Sequence, residues 1–398
     1  MPPRVNNSKL GGAAPQAPGQ EGAAPQPPVV AAALVLGLYW CVAGIDLNAP
    51  QIDRVVLLIT GAALLWATLR GSPTAFLTGS YAVVVAISER ASREVILDGS
   101  DVLRATNESL DVFLSGGDPY AHVLQSTVPP GSPFVYPPGE FLFYLPFKLV
   151  FGDINRVDTW AGVAIVALIV VAGVRISFDA VALPAMLYAS WGAAGFHAID
   201  GSNDVSASFV LVLALALAVF AAPSRGGRFA FFASAFVFGW AMAFKQFAVL
   251  ALPPLLRHLA VAGASWRRYA LAAIGTTAAL VLPFLIMDPG AFLEQQLALF
   301  TFHQETWGAN LLAVAARFGD PTLLLPIFFV LELLLTFAVL AIALRWSIPT
   351  LGAAALAASG AILVPLLLAR WTTQPYYVYV GAIVACGIGL LNARVRSV

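Results

Sequence analysis

The side chains able to do chemistry are few, and they cluster. Asp98, Asp101, Asp111 and Asp118 fall within one polar stretch, and any of them could accept a proton. Farther along come Asp200, Asn203 and Asp204, then Lys245 beside Gln246, then His303 and Arg370. Ammonium, amide and guanidinium groups can hold developing negative charge, and a histidine can bind an anion or shuttle a proton. Plainer roles stand beside these. Asp101 begins a helical stretch and could merely cap it. Asp118 precedes Pro119 and could merely turn the chain. Lys245 could snorkel to lipid headgroups, and Asp200, Asn203 and Asp204 could cap the apolar helix that follows them. No HExxH motif, P-loop or dinucleotide fingerprint occurs. The sequence therefore predicts no metal and no bound cofactor.

The elements that position these groups are helices in a bilayer. Of 398 residues, 60% are hydrophobic and 11% charged, against about 25% charged in soluble domains. The 21 basic and 21 acidic residues cancel, so no basic surface points to nucleic acid. Apolar stretches long enough to span recur along the chain, and inside lipid the backbone must satisfy itself, which favours helices. The alternating short strands of a β-barrel do not occur. The fold class expected is an all-α polytopic membrane protein with about twelve spanning helices. These fall at residues 29–45, 54–69, 73–88, 159–174, 180–196, 205–221, 229–244, 247–256, 269–287, 321–343, 349–368 and 376–391. Residues 1–28, rich in Pro, Ala, Gly and Gln, read as a disordered cytoplasmic tail. Residues 29–398 read as one membrane domain, with an uncleaved first helix and no signal peptide. Cys41 and Cys386 lie in apolar segments and read as packing residues.

Sidedness follows from the basic residues. Arg4 and Lys9 precede the first helix, and Arg394 and Arg396 follow the last. Both termini are predicted to be cytoplasmic, together with the clusters Arg225 with Arg228 and Arg257 with Arg267 and Arg268. Residues 229–256 must then be two helices with Lys245 and Gln246 at an outer turn, since one span would bury Lys245 at depth. All of the 21 acidic residues except Glu21, Asp179 and Glu332 then lie on the outer side. The polar chemistry is expected there.

The longest polar break, residues 89–158, contains two helix-like stretches. Residues 101–114 place Val102, Leu103, Leu110 and Leu114 on one face. Residues 137–151, PPGEFLFYLPFKLVF, are aromatic-rich and carry Glu140, Pro146 and Lys148. This second stretch is expected to lie along the outer surface with its aromatics at headgroup depth. Gly116, Gly117, Asp118 and Pro119 between them form a helix stop and a turn.

The short helix opened by Asp101, then SGGDPYA at 115–121 and VYPPGEFLFYLPF at 135–147, resembles the first outer loop of the GT-C glycosyltransferases. The similarity is to the bacterial polyprenyl-phosphate-sugar branch, which includes mannosyl- and arabinosyltransferases. AFKQFAVLALPPLL at 243–256, GSNDVSASFVLVLALAL at 201–217 and FTFHQETWGAN at 300–310 are similar to further pieces of that branch.

The resemblance implies an inverting transfer of a sugar, mannose or arabinose, from a polyprenyl-phosphate carrier to a glycolipid or polysaccharide acceptor at the outer face of the cell membrane. It implies Asp101 as the base, with Asp118 and Asp98 as alternatives, and His303 as a further catalytic residue. It places the donor phosphate at Lys245, Gln246 and Arg370, and the acceptor at Asp200, Asn203, Asp204 and Tyr120. Membrane lipids are the remaining partners. A transporter or flippase for a lipid-linked sugar is the alternative, although no internal repeat of the transporter kind is visible.

Overall fold

The structure is a computed structural model and describes residues 82–96, 99–176, 178–221, 225–301 and 307–391, together with residues 58, 61 and 62. The expected tail and the helices at 29–45 and 54–69 lie outside the described residues, apart from those last three. Within them the chain is mostly helical. Residues 82–86 are helical and continue into a π turn, Ile87–Ala91. In the long polar stretch, residues 89–158, α1 (Val102–Leu114) and α2 (Gly139–Phe151) stand where the sequence predicts them.

Then come α3 (Val157–Ile176), α4 (Phe178–Ala189), α5 (Gly192–Phe196), α6 (Asp204–Val219) and α7 (Arg225–Phe244). A 3-10 segment (Gln246–Ala251) leads into α8 (Leu252–Val261) and α9 (Trp266–Met287). The last helices are α10 (Pro289–Thr301), α11 (Leu311–Ala315), α12 (Pro321–Arg345), α13 (Leu351–Leu368) and α14 (Gln374–Gly389). Four helices among the described residues are long and apolar enough to cross a membrane: Gly226–Phe244 within α7, then α9, α12 and α13. Val157–Ala172, Asp204–Val219 and Gln246–Val261 are shorter apolar helices.

α6 is apolar all round and buried on most sides, as a central helix must be. It packs against α3, α7 and α14. α12 is the opposite case, with only 6% of its apolar window buried inside the protein. Its start is well specified: Asp320 accepts from the Thr322 N–H at 2.9 Å, and Pro321 occupies a position whose N–H has no helical partner.

One expected span is not continuous. Residues 180–196 break between α4 and α5, where Trp191 is extended. A helix of α4's length rises only about 18 Å, short of a bilayer's hydrocarbon. The break sets the Trp191 ring against α14 at Gly381, where a β-carbon would lie 2.1 Å from it. Only a residue without a side chain admits that ring.

α1 closes with a Schellman motif: Gly117 N–H donates to Val112 O at 2.9 Å and Gly116 N–H to Phe113 O at 3.0 Å. Gly116 takes φ +84°, which this ending requires. The chain that follows is tied back by Glu108, whose carboxylate accepts from His122, the Gln125 N–H and the Ser126 N–H and hydroxyl. Burial alone would raise this carboxyl, but those bonds outweigh it and hold it at about 2.

The aromatic half of the loop departs from expectation. Phe141 and Tyr144 of α2 are fully buried in the protein, not laid on headgroups. Phe141 joins Phe113, Tyr120, Phe134 and Phe284 in one ring cluster, with centroids 5.4–6.4 Å from its own. Pro146 and the far end of α2, Leu149, Val150 and Phe151, stay exposed. The cause is the close approach at α2's first residue, described next.

Candidate functional site

α2 starts directly against the end of α7. A β-carbon on Gly139 would lie 2.5 Å from Ala243 O, and Trp240 Nε1 donates to Gly139 O at 2.8 Å. Immediately beyond Ala243 and Phe244 the helix stops, because Lys245 is extended (φ −135°, ψ 126°). That change of backbone turns Lys245 inward. Its Nζ donates to Asp204 Oδ1 at 2.5 Å, and Asp204 is the first residue of α6. Lys245 is 2% exposed and does not snorkel. The rings of Tyr376, Tyr136 and Phe247 stand 4.8, 5.6 and 5.8 Å from the ammonium, close enough for cation–π attraction.

A second buried carboxylate adjoins this pair. Glu140 Oε1 accepts from Thr106 Oγ1 at 2.7 Å and from Asn203 Nδ2 at 3.0 Å. Glu140 Oε2 and Asn203 Oδ1 are buried with no hydrogen-bond partner. Asp158, at the start of α3, accepts from the Tyr144 hydroxyl at 2.9 Å and the Ser206 N–H at 3.0 Å. α1, α2, α3, α6 and α7 thus all contribute to one buried polar network. Burial pushes the Glu140 carboxyl up to about 7; the Thr106 and Asn203 bonds oppose that, and Asp158 adds to it. Burial also raises the Tyr136 phenol well above its usual range, reinforced by Tyr376, Asp204, Glu140 and Asp101.

This arrangement makes folding depend on pH. The unfolded Glu140 carboxyl releases its proton near 4.5, whereas in the fold it keeps it to about 7. The resulting cost is absent below about pH 4.5. It grows as pH rises and reaches about 3 kcal/mol above 7. Glu140→Gln keeps an acceptor for Thr106 and Asn203 but carries no proton to lose. Thermal unfolding in detergent should therefore show the variant gaining on the wild type from pH 5 to 7 and levelling off by pH 8. Parallel curves over that range would remove Glu140 from the titration.

The other residues singled out in the sequence fall as follows. Asp101 precedes α1, but its side chain does not cap it; instead Oδ2 accepts from the Val128 N–H at 2.7 Å. Asp118 is a turn residue: Oδ1 accepts from the Tyr120 N–H at 2.9 Å, while Oδ2 is buried without a partner. Tyr120 is 1% exposed and donates its hydroxyl to Tyr136 O at 2.8 Å, so it backs the Tyr136 turn and presents no surface of its own. Asp111 pairs with Lys148 at 2.9 Å.

Asp200 is fully engaged with His197 Nδ1 at 2.6 Å and with the N–H and hydroxyl of Ser202. Burial would raise its carboxyl, but those three bonds prevail and hold it low. Asn203 holds Glu140 and makes no side-chain cap to α6. Gln246 donates to Val135 O at 2.8 Å and Gln296 Oε1 at 3.2 Å, fastening the Tyr136 loop to α10. Arg370 is half-buried and immediately precedes a two-residue parallel strand pair, Trp307–Gly308 (β1) with Trp371–Thr372 (β2). Asp98 and His303 lie outside the described residues.

Lys245 and Asp204 thus pair beside the Tyr136 and Tyr376 rings, with Asn203 next in the chain holding Glu140, whereas Asp118, Asp111 and Asp200 serve the loops around them. Sequence reasoning missed Glu140, Asp158, Tyr136 and Tyr376 as members. A signal existed for the first, since Glu140 is a lone carboxylate amid PPGEFLFY. No family model, no curated protein and no solved structure matches this chain.

Proposed function

We propose that this chain is a membrane glycosyltransferase that takes a sugar from a polyprenyl-phosphate carrier at the outer face of the cell membrane. The observation that supports this reading best is the enclosed ammonium of Lys245 with Asp204, set beside the buried Glu140 carboxyl that Asn203, the neighbour of Asp204, holds. An inverting transfer needs both charges. The acceptor oxygen forms a bond to the anomeric carbon as that carbon's bond to phosphate oxygen breaks. The acceptor proton passes to a carboxylate, for which Asp101 is our choice. Asp101 Oδ2 is held by Val128, and among the described residues nothing bonds to Oδ1. The leaving phosphate gains charge that Lys245 would meet. Because Lys245 is shut behind Tyr136 and Tyr376, donor entry in this mechanism displaces one of those rings. Gln246, bonded to Val135 O, borders the same entry, Arg370 is our second choice for the phosphate, and the remaining helices of the twelve-span topology, with both termini cytoplasmic, complete the domain.

Purified protein in nanodiscs, given a radiolabelled polyprenyl-phosphate sugar and a glycolipid extract, should yield labelled acceptor. Movement of the donor between leaflets without transfer would instead mark a flippase. The sidedness is tested separately at Ser115, an exposed residue beyond α1. Ser115→Cys should react with a membrane-impermeant thiol reagent in intact spheroplasts. Labelling only after lysis would invert the topology.

A further inference from the structure

A groove of about 680 Å³ opens beside the buried network, between the end of α2 and the start of α3. Phe147, Phe151 and Trp160 provide its apolar wall, and Glu94, Asp153 and Arg156 provide charge. Val157 and Trp160 flank Asp158, so the groove lies within a helical turn of the polar network.

Aromatic residues at an outer membrane boundary need no ligand to explain them, since they anchor helices there. The polar groups beside them are exposed and open to a ligand. Among the described residues nothing bonds to the Glu94 carboxylate, to Asp153 Oδ2 or to the Asn155 amide. Asp153 Oδ1 accepts only the Asn155 N–H at 3.0 Å. Arg156 donates through Nη1 to Ala91 O at 3.1 Å and keeps Nε and Nη2 unused. Aromatic faces beside unused acceptors and donors are what a sugar ring requires. Its C–H faces stack on rings, and its hydroxyls both give and take hydrogen bonds. Two carboxylates against one guanidinium give the groove a net negative charge, which disfavours the phosphate of a donor. Leu149, Val150 and Phe151 leave an apolar strip exposed along the same end of α2, 64–72% open to the surroundings. An acyl or polyprenyl chain would cover it.

We infer that this groove binds the neutral sugar headgroup of a glycolipid, with the lipid chain along Leu149 and Val150. Calling that glycolipid the acceptor rests on the transferase reading; the binding itself does not. The test therefore contains no donor. Full-length protein in nanodiscs is titrated with hexyl mannoside, arabinofuranoside, glucoside and galactoside and with the four free sugars, and binding is read by saturation-transfer NMR and calorimetry.

At least one hexyl glycoside should bind, and its free sugar should bind more weakly. Trp160→Ala and Asp153→Asn should each weaken that binding about tenfold. Both positions are exposed, so thermal unfolding should hardly change, and Glu294→Gln on α10 should bind as the wild type does. Absence of binding by the whole panel, or unchanged affinity in both groove variants, would overturn the inference. Equal binding of the free sugar would overturn the assignment of the lipid chain. Binding here, with no labelled acceptor formed in the separate transfer assay, would leave the groove standing and count against the transferase.

Discussion

Lys245→Ala should cost the protein both its stability and its donor. The ammonium is enclosed with Asp204 at 2.5 Å, so truncating it strands a buried carboxylate. Breaking a buried pair from one side typically costs about 3–5 kcal/mol, far more than such a pair contributes when whole. A failed transfer assay on Lys245→Ala alone would therefore say little about the donor. The informative variant is Lys245→Met with Asp204→Asn, which removes both charges and keeps most of the volume. It should recover most of the lost melting temperature. If Lys245 holds the phosphate, donor binding should stay lost in this repaired protein. If the pair only braces α6 against α7, the repaired protein should bind donor as the wild type does, and Lys245 leaves the mechanism. Lys148→Ala is the comparator. It removes a cation that serves Asp111 and Asn107 on the far side of α1, and donor affinity should not follow it.

Asp101→Asn is expected to reduce turnover by about 100- to 10,000-fold, the range a positioned general base contributes. The structure makes this substitution cleaner than a capping role would have allowed. Asp101 does not cap α1, and its one side-chain bond among the described residues, from the Val128 N–H, is one that an asparagine oxygen can accept equally. Folding and donor affinity should survive. Asp118→Asn preserves the Asx turn to Tyr120 in the same way, and Asp98→Asn completes the set. Near-normal turnover in Asp101→Asn with collapse in either of the others would move the role along the loop. Full activity in all three would end the carboxylate-base mechanism for this segment.

The helices were legible wherever the apolar run was long and its ends were marked. α9, α12, α13 and α14 begin and end within a few residues of the expectation because hydropathy alone delimits them. α1 and α2 were legible from the polar break that isolates them and the Gly-Gly stop between. The break at Trp191 was not, because hydropathy stays high across it and the glycine that accommodates the ring, Gly381, is far away in sequence. The site divides along the same line. Residue type and sidedness singled out Lys245, Asp204 and Asn203 as separate candidates. That Lys245 meets Asp204, 41 positions away, is a tertiary fact. So is the burial of Glu140 between α1 and α6: in sequence it resembles an interfacial residue, and only the contact of Gly139 with Ala243 draws it inward.

The pairing of β1 with β2 carries a consequence of another kind. Surface connections usually drift in length between relatives, each without regard to the others. Here Trp307 is in register with Trp371 and Gly308 with Thr372, and a side chain at Gly308 would lie 2.1 Å from Thr372 O. The segment after α10 and the link from α13 to α14 are thereby clasped to each other. A residue inserted close to the clasp in either would shift the register or open the pair, unless its partner changed too. In any set of homologues, these two connections should lengthen and shorten together, and the glycine should be the position that never varies.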